Sequence, residues 1–91
     1  MNKGDLVDAI ATRAECTKKD ASIVLDATIE IIIEAVASGD KVLVVGFGSF
    51  ECRDRQAREG RNPKTGEPMA IPATKVPAFS AGKGFKERVT A

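Results

Sequence analysis

The side chains of this chain that could do chemistry are mostly cations, and they gather in one stretch: Arg53, Arg55, Arg58, Arg61 and Lys64, with Lys75 further on. Guanidinium groups two residues apart on an extended strand share a face, as Arg53 and Arg55 would. A planar guanidinium pairs with a phosphate through two N–H groups, and it suits the deep negative potential of a minor groove. Arg58 and Arg61 carry the charge onward, across a bulge that shifts the phase. Between them and Lys75 the chain reads GRNPKTGEP, Gly60 to Pro68. Asn62-Pro63-Lys64-Thr65 suits a type I turn, and Gly66 supplies the positive φ that often follows one. Residues 52–61 and 67–75 are then the two legs of a β-ribbon arm over about 52–75, with Pro63 near its tip. On these grounds Pro63 is a turn residue and no more. Asp54, Glu59 and Glu67 offset part of the charge, and a run of this kind can equally be a solvated face.

Other chemistries have little to work with. The chain has no histidine, tyrosine or tryptophan, no phosphate-binding GxxxxGK[ST] loop, and a GFGSF that lacks the strand–GxGxxG–helix setting. Glu51 and Asp54 stand among arginines, where a structural role is expected. Cys16 and Cys52 have no metal-ligand spacing and read as reduced, small hydrophobes. No catalysis, metal, cofactor or small-molecule substrate is expected. No apolar run reaches the roughly 18 residues of a membrane span and the start lacks a signal-peptide pattern, so no membrane is expected and the location reads as cytoplasmic.

The net charge is only +1, but it is unevenly spread. Residues 1–40 hold 4 basic and 8 acidic side chains, a balance of −4, whereas residues 41–91 hold 10 and 5, a balance of +5. Such asymmetry directs an anionic partner to the second part of the chain.

The elements that must carry the arm are legible from periodicity and caps. Asn2 is a cap for a helix over about 3–14, with Asp5 in its first turn and Leu6, Val7, Ile10 and Ala14 on one face. Thr17 and Asp20 start a second helix, about 18–38, that Gly39 ends. This helix is apolar over more than half its circumference, and a 91-residue chain has little to cover it with, so Ile29, Ile32, Ile33 and Val36 are assigned to a homodimer seam. KVLVV, Lys41 to Val45, reads as a strand and GFGSF as a turn into the next, with Phe47, Phe50 and Phe79 joining the same core and Phe85 beside them. MAIPATKVPAF, Met69 to Phe79, returns as a strand that Pro72 and Pro77 restrict to edge or bulged pairing. A last helix, about 82–90, begins after Ser80 as cap. It carries Lys83 and Lys86 where they and the helix N-terminus could meet a phosphate; both could also be ordinary surface lysines, as could Lys3. Gly84 inside it costs helix stability and loosens that platform.

VGFGSFE, RDRQAREGRNPKTGE and IPATKVPAFSAGK, together with the opening MNKGDLVDAIA, resemble the bacterial histone-like HU family over essentially the whole chain, and the cyanobacterial members in detail. The resemblance implies an α+β fold: a helical base, a small antiparallel sheet extended into a long β-ribbon arm, and an intertwined homodimer. HU proteins are themselves a standing example of minor-groove binders that wedge apolar side chains between bases and kink the duplex. By resemblance, then, Pro63 is the wedge. Arg53, Arg55, Arg58, Arg61, Asn62, Lys64 and Lys75 are arm contacts to double-stranded DNA, and Lys3, Lys83 and Lys86 touch flanking phosphates. The implied location is the bacterial nucleoid, with little sequence specificity. The near-neutral net charge departs from what a DNA-packaging protein usually carries. A sequence-preferring protein of the integration-host-factor kind, an RNA-binding or chaperone-like module, and a purely structural dimer stay open, as does a preference for nicked or distorted DNA.

Overall fold

The computed structural model describes all residues, 1–91, in two compact units, 1–34 and 35–91, with one helix running from the first into the second. Helix α1 is Lys3–Ala14. A reciprocal capping box starts it: Asn2 Oδ1 accepts from the Asp5 amide at 2.9 Å and Asp5 Oδ2 accepts from the Asn2 amide at 3.1 Å. It ends on Glu15 in the left-handed region (φ 55°), where the Cys16 amide donates to Ala11 O. Helix α2 is Lys18–Ala37, and the Asp20 amide donates to Thr17 Oγ1 at 3.1 Å at its start. The core of the first unit is small: Val7, Ala11 and Ala21, flanked by Ile10 and Leu25.

The second unit is built on a three-stranded antiparallel sheet of order β1-β2-β5, made of β1 (Val42–Val44), β2 (Gly48–Arg55) and β5 (Thr74–Ala81). Strand β1 is shorter than the KVLVV run because Val44 O accepts from the Phe47 amide at 3.0 Å, which turns Val45 and Gly46 out of the ladder. Strand β1 pairs only as far as Val42 opposite Phe50, so from Glu51 outward β2 and β5 continue as a two-stranded ribbon. Pro77 stands in β5, an edge strand, where a missing N–H is tolerated. Four phenylalanines pack together at this end, with ring centroids 4.9 Å apart for Phe50 and Phe79 and 5.2 and 5.5 Å from Phe47 to Phe79 and Phe85.

The outer arm is a second ladder, β3 (Arg58–Arg61) with β4 (Pro68–Ile71). Gln56-Ala57 on one leg and Pro72-Ala73 on the other separate it from the first. The expected phase-shifting bulge is therefore absent. A bulge adds a residue to one leg only, whereas here each leg skips two, and the register resumes in step, Arg55 opposite Thr74 and then Arg58 opposite Ile71. Pro72 has no N–H to give a ladder at that point, which accounts for an interruption shared by both legs.

One expectation for helix α3, Lys83–Thr90, is also corrected. Its N-cap is Gly82, with no side-chain cap, because β5 runs through to Ala81 and holds Ser80 as a ladder residue opposite Ser49. Gly84 has a packing reason that its helix cost alone does not reveal. A Cβ at this position would lie 3.1 Å from Gly46 O, so the glycine permits α3 to lie directly on the β1–β2 turn. The Gly82 amide fastens the same contact by donating to Phe47 O at 2.8 Å. Cys16 is exposed and so is no core hydrophobe; Cys52 is half-buried, and both thiols are free.

Candidate nucleic-acid interface

The arm presents its cations in two groups. Strict alternation along β2 places Glu51, Arg53 and Arg55 on one face with Thr74, Val76, Ala78 and Ser80 of β5. The opposite face holds Phe50 and Phe79 at the inner end, then Cys52 and Pro77, then Asp54 directly across from Lys75. In the outer ladder Arg58 shares a face with Gly60, Met69 and Ile71, while Arg61 shares the other with Glu59, Ala70 and Pro68. Ile71 lies over Gly60, where an added Cβ would come within 3.0 Å of its Cδ1. Met69 and Ile71 give this part of the arm an apolar side that the arginine-centred reading of the sequence missed. The signal was present in MAI at positions 69–71, but it takes the register to show that these residues flank Arg58.

The tip is held by its own side chain. Asn62 Oδ1 accepts from the Lys64 amide at 2.9 Å, Asn62 O accepts from the Gly66 amide at 2.7 Å, and the Asn62 amide donates to Glu67 O at 2.8 Å. The closing bond thus reaches Gly66, at φ 73°, and the turn is one residue wider than a simple β-turn. Pro63 stands exposed at the end of the arm, beside a half-buried Asn62.

Electrostatically the cations differ. Arg53 is committed within the chain: its Nη2 lies 3.1 Å from Glu51 Oε1 and donates to Ser80 Oγ at 3.1 Å. Arg55, Arg58, Arg61, Lys64 and Lys75 form no ion pair. Lys75 is free even though Asp54 faces it in register. On α3, Lys86 is unpaired and Lys83 reaches Glu87 only at 3.8 Å with its side chain 90% exposed, a contact of little energetic weight. In the first unit Lys3 pairs with Asp26 of α2. No cluster of three or more His, Cys, Asp or Glu side chains that could hold a metal occurs, and no helix is long and apolar enough to cross a membrane.

The residues assigned to a dimer seam are unevenly covered. Ile29 (42%), Ile33 (55%), Phe47 (42%) and Phe79 (41%) are exposed, whereas Ile32 and Phe50 are half-buried. Val36 departs from the group, for at 9% exposure it is already covered within the chain. Ile23, Ile31, Leu43 and Val45 are exposed apolar residues outside that assignment.

Comparison with known proteins places this arrangement. The family model for the bacterial DNA-binding protein family matches residues 1–90. DNA-binding protein HU of Nostoc sp. is 71% identical over 89 residues, which cover 98% of this chain and 95% of the relative. HU of Staphylococcus aureus is 54% identical, covering 98% and 99%. Among solved structures, an Anabaena HU–DNA cocrystal structure matches with a TM-score of 0.90 at 71% identity, covering 98% of this chain and 97% of that one. HU from Thermotoga maritima matches with a TM-score of 0.69 at 38% identity, covering 98% of each. With its helical base, three-stranded sheet and projecting ribbon, this chain belongs to the bacterial DNA-binding protein family that includes the HU proteins.

Proposed function

We propose that this protein is a histone-like, nucleoid-associated protein of the bacterial cytoplasm. Two chains form an intertwined homodimer whose arms bind double-stranded DNA in the minor groove and bend it with little regard to sequence. The observation that carries this reading is the arm, a projecting ribbon whose Arg55, Arg58, Arg61, Lys64 and Lys75 are without anionic partners. Unpaired cations at strand spacing exchange condensed counterions for phosphates, which favours any duplex over none and makes binding fall with salt. The family match and the high identity to relatives named for DNA binding support the same conclusion.

In this reading the cations hold the backbone, and Met69, Ile71 and Pro63 supply apolar contact to sugars and bases. Pro63 enters between base pairs at the tip, where Asn62 fixes the turn that presents it. Lys86, Lys83 and Lys3 meet the flanking phosphates; Lys3 must then leave or share Asp26. DNA binding, rather than catalysis, is the activity. The experiment that tests the groove assignment is competition: a small AT-specific minor-groove ligand should displace the protein from an AT-rich duplex, whereas methylation of guanine N7 in the major groove should leave binding unchanged. Displacement by the major-groove modification alone would refute it.

A further inference from the structure

The join between sheet and arm carries a side-chain cluster that phosphate binding does not explain. Strand β1 stops pairing at Phe50, so Glu51 is the first β2 residue supported by one neighbouring strand instead of two. At this level Arg53 does not extend toward the tip. Its guanidinium turns back: Nε and Nη2 donate to Glu51 Oε1 at 3.4 and 3.1 Å, and Nη2 also donates to Ser80 Oγ at 3.1 Å, which lies 3.5 Å from the same carboxylate oxygen. Ser80 is 27 residues away in sequence and on the other leg. The side-chain cluster therefore straps β2 to β5 where the third strand ends, and Glu51 is sheltered there, with 30% of its side chain exposed. The next weak point outward, Gln56-Ala57 against Pro72-Ala73, has no such strap.

We infer that Glu51, Arg53 and Ser80 form a clasp that fixes the direction in which the inner ribbon leaves the sheet. Arg53 serves DNA bending as a positioning residue and not as a phosphate contact, and the arm turns instead at the unstrapped joint between Arg55 and Arg58. The inference rests on the DNA-binding reading above. Arg53 with Glu51 has no net charge, so it releases no counterion when DNA arrives, whereas Arg55 and Arg58 each do. A two-stranded ribbon without the clasp is marginal in water, and its lost order must be restored on binding.

Three variants in the full-length protein separate the roles: Arg53→Lys, which keeps the charge but replaces the planar guanidinium fork with a single ammonium nitrogen, Ser80→Ala, and the two combined; a fourth, Arg53→Gln, removes the charge. Each would be measured for affinity and for bending of an end-labelled duplex by energy transfer across a salt series, and for amide hydrogen exchange of residues 52–55 and 74–76 without DNA. The clasp predicts faster exchange in all three and reduced bending. It also predicts affinity lower by about fivefold with the salt slope unchanged, and a double variant no worse than the worse single. Two results would overturn it: Ser80→Ala indistinguishable from wild type in exchange and bending, or Arg53→Gln lowering the salt slope as a lost phosphate contact does. Wild-type protein with no salt-sensitive duplex binding would instead refute the DNA-binding reading and leave the exchange result to judge the clasp alone.

Discussion

The arginines of the arm have different tasks, set by what lies within reach of each guanidinium. Arg55 and Arg58 have no anionic partner, so under the proposed function replacing either with alanine removes a phosphate contact from each arm of the dimer. The slope of log affinity against log salt should become shallower by roughly two per dimer, with all sequences weakened alike; an unchanged slope would exclude them from the interface. Pro63→Ala should leave affinity within about threefold, since the cations carry most of it, but should reduce bending measured by end-to-end energy transfer. Intact bending would remove the wedge role. The period of two in RDR made Arg53 and Arg55 legible as neighbours on one face, and the alternation in β2 puts them there. What sequence could not reveal is that Arg53 is occupied, because one of its two partners lies on the far leg.

Local chemistry decided several elements and tertiary contact decided the rest. Asn2 and Asp5 were readable as a helix start, and the reciprocal bonds they make explain why. Asn2→Ala should cost about 1 kcal/mol, seen as a lower denaturant midpoint with unchanged m-value. Gly84 was half legible because an intrinsic helix scale counts only the residue's own cost. Its space is set by Gly46 O, 38 positions earlier, so sequence proximity gives no hint of it. On propensity alone Gly84→Ala would stabilise by about 1 kcal/mol; against the 3.1 Å approach, no rise in Tm is expected, and a rise of several degrees would show that α3 can shift off the turn. Ser80 misled, since a serine before a helix resembles a cap until pairing with Ser49 commits it to the ladder. The interruption of the arm was half legible: Pro72 marked it on one leg, but only the register shows that both legs break together.

Taken as a whole, the chain cannot bury its own apolar surface. No large side chain is fully buried, while Ile23, Ile29, Ile31 and Ile33 along α2 and Phe47, Phe79 and Phe85 in the second unit remain open to solvent. An apolar excess of this size marks an interface, and a second copy of the chain is the occupant that the proposed homodimer supplies. Ile33→Asp would place a charge in that seam and should raise the concentration for dimer dissociation by at least about tenfold in sedimentation experiments; a dimer as tight as wild type would move the seam elsewhere. The low net charge does not conflict with DNA binding, because the acidic balance belongs to residues 1–40 and the basic balance to residues 41–91, which hold the arm and α3. The central claim is sequence-indifferent, electrostatic binding by those arms, and binding isotherms on two intact duplexes of unrelated sequence, taken as salt is raised, test it. The expected result is two affinities that fall together along parallel lines. Salt-independent binding, or binding to only one of the two sequences, would contradict it.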